Sequence, residues 1–211
     1  MSSSFPGAID NFTDPLSNSN LSSPSHAGQH QDLNDAVEKI ETYMGLVKVI
    51  PTAATNGTIT SDGDVTVGNA VSSVSVTCFS SLYDSYRIIY TTGVGSGIAV
   101  INMTLGSTAT GYYQGGISVP FTGATLLSQV NNGPAWANTG VMGTDYANVV
   151  VEIHNPYLSK KTFITWDYLY TAEYIRIGGY LNNTTSYTSF TLTPGAGTLT
   201  GGNIRVYGYR N

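Results

Sequence analysis

From Thr58 to the C-terminus the chain is a succession of short runs rich in Val, Ile, Thr and Tyr, separated by turns rich in Gly and Asn, and few folds accommodate that pattern. The clearest runs are 71–79, 86–92, 98–105, 147–154, 162–168, 174–181, 187–192 and 203–209. β-Branched and aromatic side chains fit a pleated, half-buried surface. Several runs alternate: Ala99, Ile101, Met103 and Leu105 share one face, and Ile204 and Val206 oppose Arg205 and Tyr207. The segment GVGSG (93–97) reads as a hairpin turn and TPGAG (193–197) as a second turn. Many short strands joined this way predict a mostly β protein, with an antiparallel, jelly-roll-like β-sandwich over residues 57–211. The stretch 112–146 has the weakest strand signal and reads as exposed loops. Its Tyr112, Tyr113, Asn131, Asn132, Trp136 and Tyr146 are the candidate recognition residues, because Tyr and Trp offer rigid contact area with a polar tip. The competing reading is that such aromatics fill the core or subunit interfaces.

The N-terminal quarter is different. Residues 1–24 are polar, broken by Pro6, Pro15 and Pro24, and carry only dispersed apolar side chains: Phe5, Ile9, Phe12 and Leu16. An irregular arm of this kind buries little of itself and gains order by docking on a partner. Residues 25–47 predict one helix, with Ser25 or Asp32 as N-cap and Gly45 as its stop. Leu33, Val37, Ile40, Met44 and Val47 recur at intervals of 4, 3, 4 and 3, the spacing of a coiled-coil seam. That row either packs on the chain's own domain or forms a short oligomeric bundle. Residues 48–56 (KVIPTAATN) end the helical pattern. The expected organisation is an anchoring and oligomerising unit over 1–50, a linker over 51–56 and the head over 57–211.

Charge excludes several functions. Only 10% of residues are Asp, Glu, Lys or Arg, against roughly 25% in ordinary soluble domains, so much of the surface is expected to lie against other subunits. The net charge is −5 and the one adjacent basic pair is Lys160-Lys161. Nucleic-acid binding needs clustered cations, so no such partner is expected. No run is long and apolar enough for a membrane span, and the N-terminus lacks the basic start and apolar stretch of a secretory signal, so synthesis in a cytoplasm without export by that route is expected. The single cysteine, Cys78, sits in an apolar strand-like run and reads as a buried small hydrophobe.

Chemical signatures are missing as well. There is no G-x-S-x-G, no phosphate-binding loop and no H-E-x-x-H. Asp62-Gly63-Asp64 reads as a β-turn rather than a calcium loop. His26 and His30 fall on the seam of the helix and read as polar or capping groups rather than metal ligands, and His154 as polar surface. Asp145, Glu152, Asp167 and Glu173 are the carboxylates that a glycan-cleaving enzyme would have to bring together in pairs. No cofactor, metal or enzymatic activity is expected.

Four segments resemble a known class of proteins. The closing stretch YTSFTLTPGAGTLTGGNIRVYGYRN, the run CFSSLYDSYRIIYTTG and the piece HNPYLSKKTFITW resemble strands of bacteriophage tail-fibre-like and other virion proteins. The N-terminal FPGAIDNFTDPLSNSNLSSPSHAGQHQDLNDAVEKIETYMGL resembles an anchoring module that precedes varied heads in phage structural proteins. The resemblance implies a virion protein, often trimeric, made in the host bacterial cytoplasm, with a β-sandwich head and with other capsid or tail proteins as partners. Two placements follow from it: a short appendage that binds a host-surface glycan, or a capsid decoration or head-fibre protein that stabilises the shell. A glycan-degrading enzyme is the remote third.

Overall fold

The computed structural model describes residues 26–43, 45–169 and 171–209. The chain divides into two compact units, one running to Val47 and the other covering Lys48–Tyr209.

In the first unit, α1 spans His26–Tyr43. Gly45 follows at φ 77°, the left-handed conformation that stops a helix and that a Cβ would disfavour. Asp32 lies within the helix and is not its cap; Ser25 lies outside the described residues. Of the expected seam, Leu33, Val37 and Ile40 are 54%, 45% and 42% exposed, while Ala36 beside them is buried. Phe5, Ile9, Phe12 and Met44 lie outside the described residues.

The strands are β1 (Leu46–Val49), β2 (Ala53–Thr55), β3 (Gly57–Ile59), β4 (Val65–Val67), β5 (Val74–Thr77), β6 (Ser85–Thr91), β7 (Val94–Gly95), β8 (Ala99–Leu105), β9 (Tyr112–Pro120), β10 (Leu126–Gly133), β11 (Trp136–Met142), β12 (Ala147–His154), β13 (Thr162–Leu169), β14 (Glu173–Leu181), β15 (Ser189–Pro194), β16 (Leu199–Thr200) and β17 (Asn203–Tyr209). All eight runs read from the sequence contain strands. Three readings need correction. Residues 51–56 are not a free linker, because β2 pairs with β5. The stretch 112–146 is not loop: β9 and β10 pair with each other, and β11 pairs with β8 and β12. GVGSG is not a hairpin turn, because β6 and β8 do not pair; it carries β7, which pairs with β16.

Strand β12 is the corner of the sandwich. Val149–His154 pair with β6 along one edge. On the other edge, Val151–His154 pair with β13 while Ala147–Val149 pair with β11. The antiparallel network therefore divides into two layers, β10-β9-β14-β13-β12-β6-β17 and β11-β8-β15-β5-β2. Their inner faces hold the core: Tyr86, Ile88, Tyr90, Val149, Val151, Ile164, Trp166 and Ile177 from the first layer, Ile101, Met103, Leu105, Trp136 and Phe190 from the second. Each such side chain contributes about 1.5–3 kcal/mol by leaving water. Polar bonds fix how the layers face each other. The Tyr112 hydroxyl accepts the Leu105 N–H at 2.8 Å, and the Gln114 carboxamide both donates to and accepts from the Ala137 backbone, at 3.0 and 2.7 Å. Tyr112 also meets Trp136 edge-on at 4.9 Å.

Asp62 and Gly63 do form the turn between β3 and β4, with the Gly63 N–H donating to the Thr60 carbonyl at 3.0 Å. Asp64 accepts from Lys48 and, at 3.0 Å, from Arg205 of β17. Partial burial pulls the Asp64 carboxyl up, but the hydrogen bonds and charges of those two cations outweigh it and hold the group below the ordinary carboxylate range.

Candidate functional site

The outer face of the first layer is organised in rows across the strands. Antiparallel register places Ser85, His154, Phe163, Tyr180 and Tyr113 in one row. The next row runs Arg87, Glu152, Thr165, Gly178 and Gly115; beyond it Ile89 lies against Val150, and Asp167 against Arg176 and Ile117. The row from Arg87 to Gly115 falls away to a hydroxyl and then to bare backbone, with larger side chains on either side. The result is a groove crossing strands that lie about 4.8 Å apart.

At its β9–β14 end the groove opens into a hollow of about 370 Å³, lined by Tyr113, Gln114, Gly115, Val130, Gly178, Gly179 and Tyr180. Tyr113 and Tyr180 stack with ring centroids 4.9 Å apart and planes 5° from parallel. Phe163 extends this ladder, 6.3 Å from Tyr180. The Lys161 ammonium lies over the Tyr180 ring, 5.4 Å from its centroid. At the β6–β12 end a more polar hollow of about 250 Å³ is lined by Arg87, Val150, Glu152, Thr165, Trp166, Asp167 and Arg176. There Glu152 accepts from Arg87 at 3.1 Å and from the Tyr209 hydroxyl at 2.7 Å.

The paired glycines of β9 and β14 are of two kinds, and three of the four, Gly115, Gly178 and Gly179, line the hollow. A Cβ at Gly116 would lie 2.3 Å from the Arg176 carbonyl oxygen, and one at Gly179 2.4 Å from that of Tyr113, so packing forbids side chains there. A Cβ at Gly115 would meet nothing within 4 Å, and one at Gly178 only ordinary contacts at 3.7 Å. Glycine inside a strand costs roughly 0.5–1 kcal/mol relative to alanine, and strand glycines mark bulges, bends or places where a ligand or another backbone comes close.

Of the six candidate recognition residues, Tyr113 lines the hollow. Tyr112 and Trp136 do not take part: both are fully buried and form the core beneath it. Their rings pack between the layers, which is the alternative that composition left open, although the Trp136 indole N–H is buried without a hydrogen-bond partner among the described residues. Asn132 takes φ 55° and accepts the Gly111 N–H at 3.0 Å, a structural use; Asn131 is exposed. Tyr146 is half-buried, away from the hollow's lining. The sequence reading missed Tyr180, Gly115, Gly178, Arg176 and Lys161. A signal existed: Tyr113-Gln-Gly-Gly and Gly-Gly-Tyr180 are mirror patterns, and antiparallel pairing superposes mirror patterns.

Among the described residues two of the four carboxylates share a hollow, and one serine is bonded to a histidine. Ser85 and His154 are bonded at 2.9 Å, but through Nδ1, and no carboxylate bonds the ring among the described residues. A nucleophile activated by a base needs that base oriented by a third group. Of the four carboxylates, Glu152 and Asp167 line one hollow, Glu173 is bonded to Ser118 and Asp145 is exposed. Among the described residues no cluster of three His, Cys, Asp or Glu is placed to hold a metal ion, and no helix is long and apolar enough to cross a membrane.

No protein-family model, no curated protein and no solved structure matches this chain.

Proposed function

We propose that this protein is a non-enzymatic component of a bacteriophage particle: a short, trimeric, tail-fibre-like appendage that binds a host-surface glycan through the outer face of its head. The observation that carries the binding reading is the hollow over Gly115 and Gly178 beside the Tyr113–Tyr180 ladder. Sugars present C–H patches that pack on aromatic rings and hydroxyls that bond to phenol and backbone groups, and a floor without side chains lets a ring approach the sheet. The virion reading is supported by the four segments that resemble phage structural proteins. Self-association is supported by the exposed row Leu33, Val37 and Ile40, and three copies of a weak site act together through multivalency.

A glycan panel incubated with the intact chain tests the binding reading: retention of a surface polysaccharide, lost in Tyr180→Ala, is expected, and a blank panel sinks it. In light scattering the assembled species should weigh three times the 22.3 kDa chain; a clean monomer removes the seam. A second reading, capsid decoration, draws on the apolar side chains left open along edge strand β10 and its approach: Phe121, Leu126 and Leu127 are 61%, 58% and 77% exposed. Immunogold labelling of particles separates the two, with gold at the tail favouring the appendage and gold over the shell favouring decoration.

A further inference from the structure

We infer that the ligand of this groove is an acidic glycan, one whose sugar units carry carboxylates, held by the aromatic ladder on one side and by Arg176 and Lys161 as its charge partners. The inference rests on the glycan reading above and narrows its substrate class.

Charge is scarce in this protein, so where an unneutralised cation stands is informative. The head, residues 48–211, holds seven Lys or Arg against seven Asp or Glu. Most cations of the described head near a carboxylate are spent on structure: Lys48 and Arg205 on Asp64, Arg87 on Glu152. Arg176 and Lys161 are exposed and make no ion pair among the described residues. Asp167 stands opposite Arg176 in the β13–β14 register, yet the two do not come within 4.0 Å.

Lys160, next to Lys161, is exposed and makes no ion pair among the described residues as well; Arg176 and Lys161 are the two that stand beside the hollow, Arg176 at its border with the polar hollow that it lines together with Glu152 and Asp167. Arg176, Gly178 and Tyr180 alternate along the outer face of β14, so the guanidinium stem and the ring stand on either side of the bare position, each about 7 Å from it. Lys161 approaches from the Tyr180 side. A sugar ring seated over Gly178 and Gly115 thus has an aromatic wall along one flank and a cation within reach of each. A guanidinium matches a carboxylate in shape and holds it through two parallel N–H donors, which are stronger than its bonds to neutral acceptors. The Lys161 ammonium, kept beside the ladder by the Tyr180 ring, suits the carboxylate of a neighbouring unit along a chain of sugars. Gly115 and Gly178 complete the case, because the fold itself leaves room for side chains there and the sequence supplies none.

The test is a binding titration of the full chain against polygalacturonate, alginate and polysialate, and against neutral galactan and dextran of similar length, with heparin as a sulfated control. Binding of a carboxylated polymer over the neutral ones is expected, weakened by salt, by roughly tenfold or more in Arg176→Gln and by less in Lys161→Gln. Gly115→Val should abolish it by filling the hollow while the thermal unfolding midpoint is kept. Equal binding of neutral and acidic polymers, or undiminished binding by Arg176→Gln, overturns the acidic assignment and leaves the glycan reading standing. Heparin binding as tightly as any carboxylated glycan, unaffected by Gly115→Val, reduces the contact to general polyanion attraction and also overturns it. Binding of none of them overturns both readings.

Discussion

The two faces of β9 and β14 are made from the same residues in alternation, yet they obey different rules. On the inner face, Tyr112, Gln114, Gly116, Ile177, Gly179 and Leu181 are fixed by what they touch: rings between layers, a carboxamide bonded to Ala137, glycines with a carbonyl oxygen 2.3–2.4 Å from where a Cβ would go. On the outer face, Tyr113 and Tyr180 stack on each other, Arg176 is exposed, and Gly115 and Gly178 have room for side chains. Residue type alone is therefore a poor guide to role. Two adjacent glycines in one strand are there for opposite reasons, one demanded by packing and the other surplus to it. The surplus residues are the ones on which the proposed glycan site rests.

The contrast can be attacked from its strongest side first. Trp136→Ala opens a large cavity between the layers and is expected to cost about 3–5 kcal/mol in denaturant unfolding; a cost below about 1 kcal/mol would mean that the inner face is not the core described here. Gly116→Ala and Gly179→Ala push a methyl into a facing strand and should each cost about 1–3 kcal/mol. Asp64→Asn tests whether polar contacts outside the core also hold the head: it leaves Lys48 and Arg205 without their shared anion and should lower stability by about 1–3 kcal/mol at neutral pH. Because the Asp64 carboxyl sits below its ordinary value in the fold, its contribution is full above the unfolded carboxyl pKa near 4 and fades as pH falls further. The difference between wild type and Asp64→Asn should accordingly shrink in acid thermal melts.

Alkali probes the inner tyrosines. Burial pushes Tyr90 up to about 12 and Tyr112 up to about 12, from an ordinary 10.0. The neutral phenols are favoured in the fold, so their stabilisation is complete below pH 10 and is lost as pH rises through 12. Absorbance at the tyrosinate band should show an exposed class titrating near pH 10 and a buried class that ionises only with unfolding. A single titration step would erase the inner–outer distinction for tyrosine. The smallest effect is the most discriminating: Gly115→Val and Gly178→Val should leave stability unchanged or raise it by about 0.5–1 kcal/mol, the opposite sign to Gly116→Ala.

Much of the fold was legible from residues. Alternation in 98–105 and 203–209 placed Ile101, Met103, Leu105, Ile204 and Val206 inside, and all of them are buried. The helix and its Gly45 stop were legible because capping is local, but Val47, read as the last residue of its seam, lies beyond that stop in β1. The strands β9, β10 and β11 were not, because Gly115, Gly116, Asn131, Asn132 and Asn138 dilute their β-propensity; Asn132 and Asn138 even take positive φ. β9 and β11 are held by neighbours on both sides and edge strand β10 by β9, and tertiary pairing overrides local preference. The recognition residues failed for a related reason. Tyr112 and Tyr113 are adjacent and chemically identical, and only the phase of the pleat sends one to the core and the other to the groove.

The sequence by itself determined the fold class of this protein: short alternating runs with Gly and Asn turns behind one helix. These are local or compositional properties, and local physics suffices to read them. Tertiary structure decided the register that lays Gly115 against Gly178 and Tyr113 against Tyr180, the corner at β12 that splits the network into two layers, and the pairing that consumes Lys48, Arg87 and Arg205 but spares Arg176 and Lys161. A site built across antiparallel strands joins residues far apart in sequence, and no local signal fixes which of them will meet.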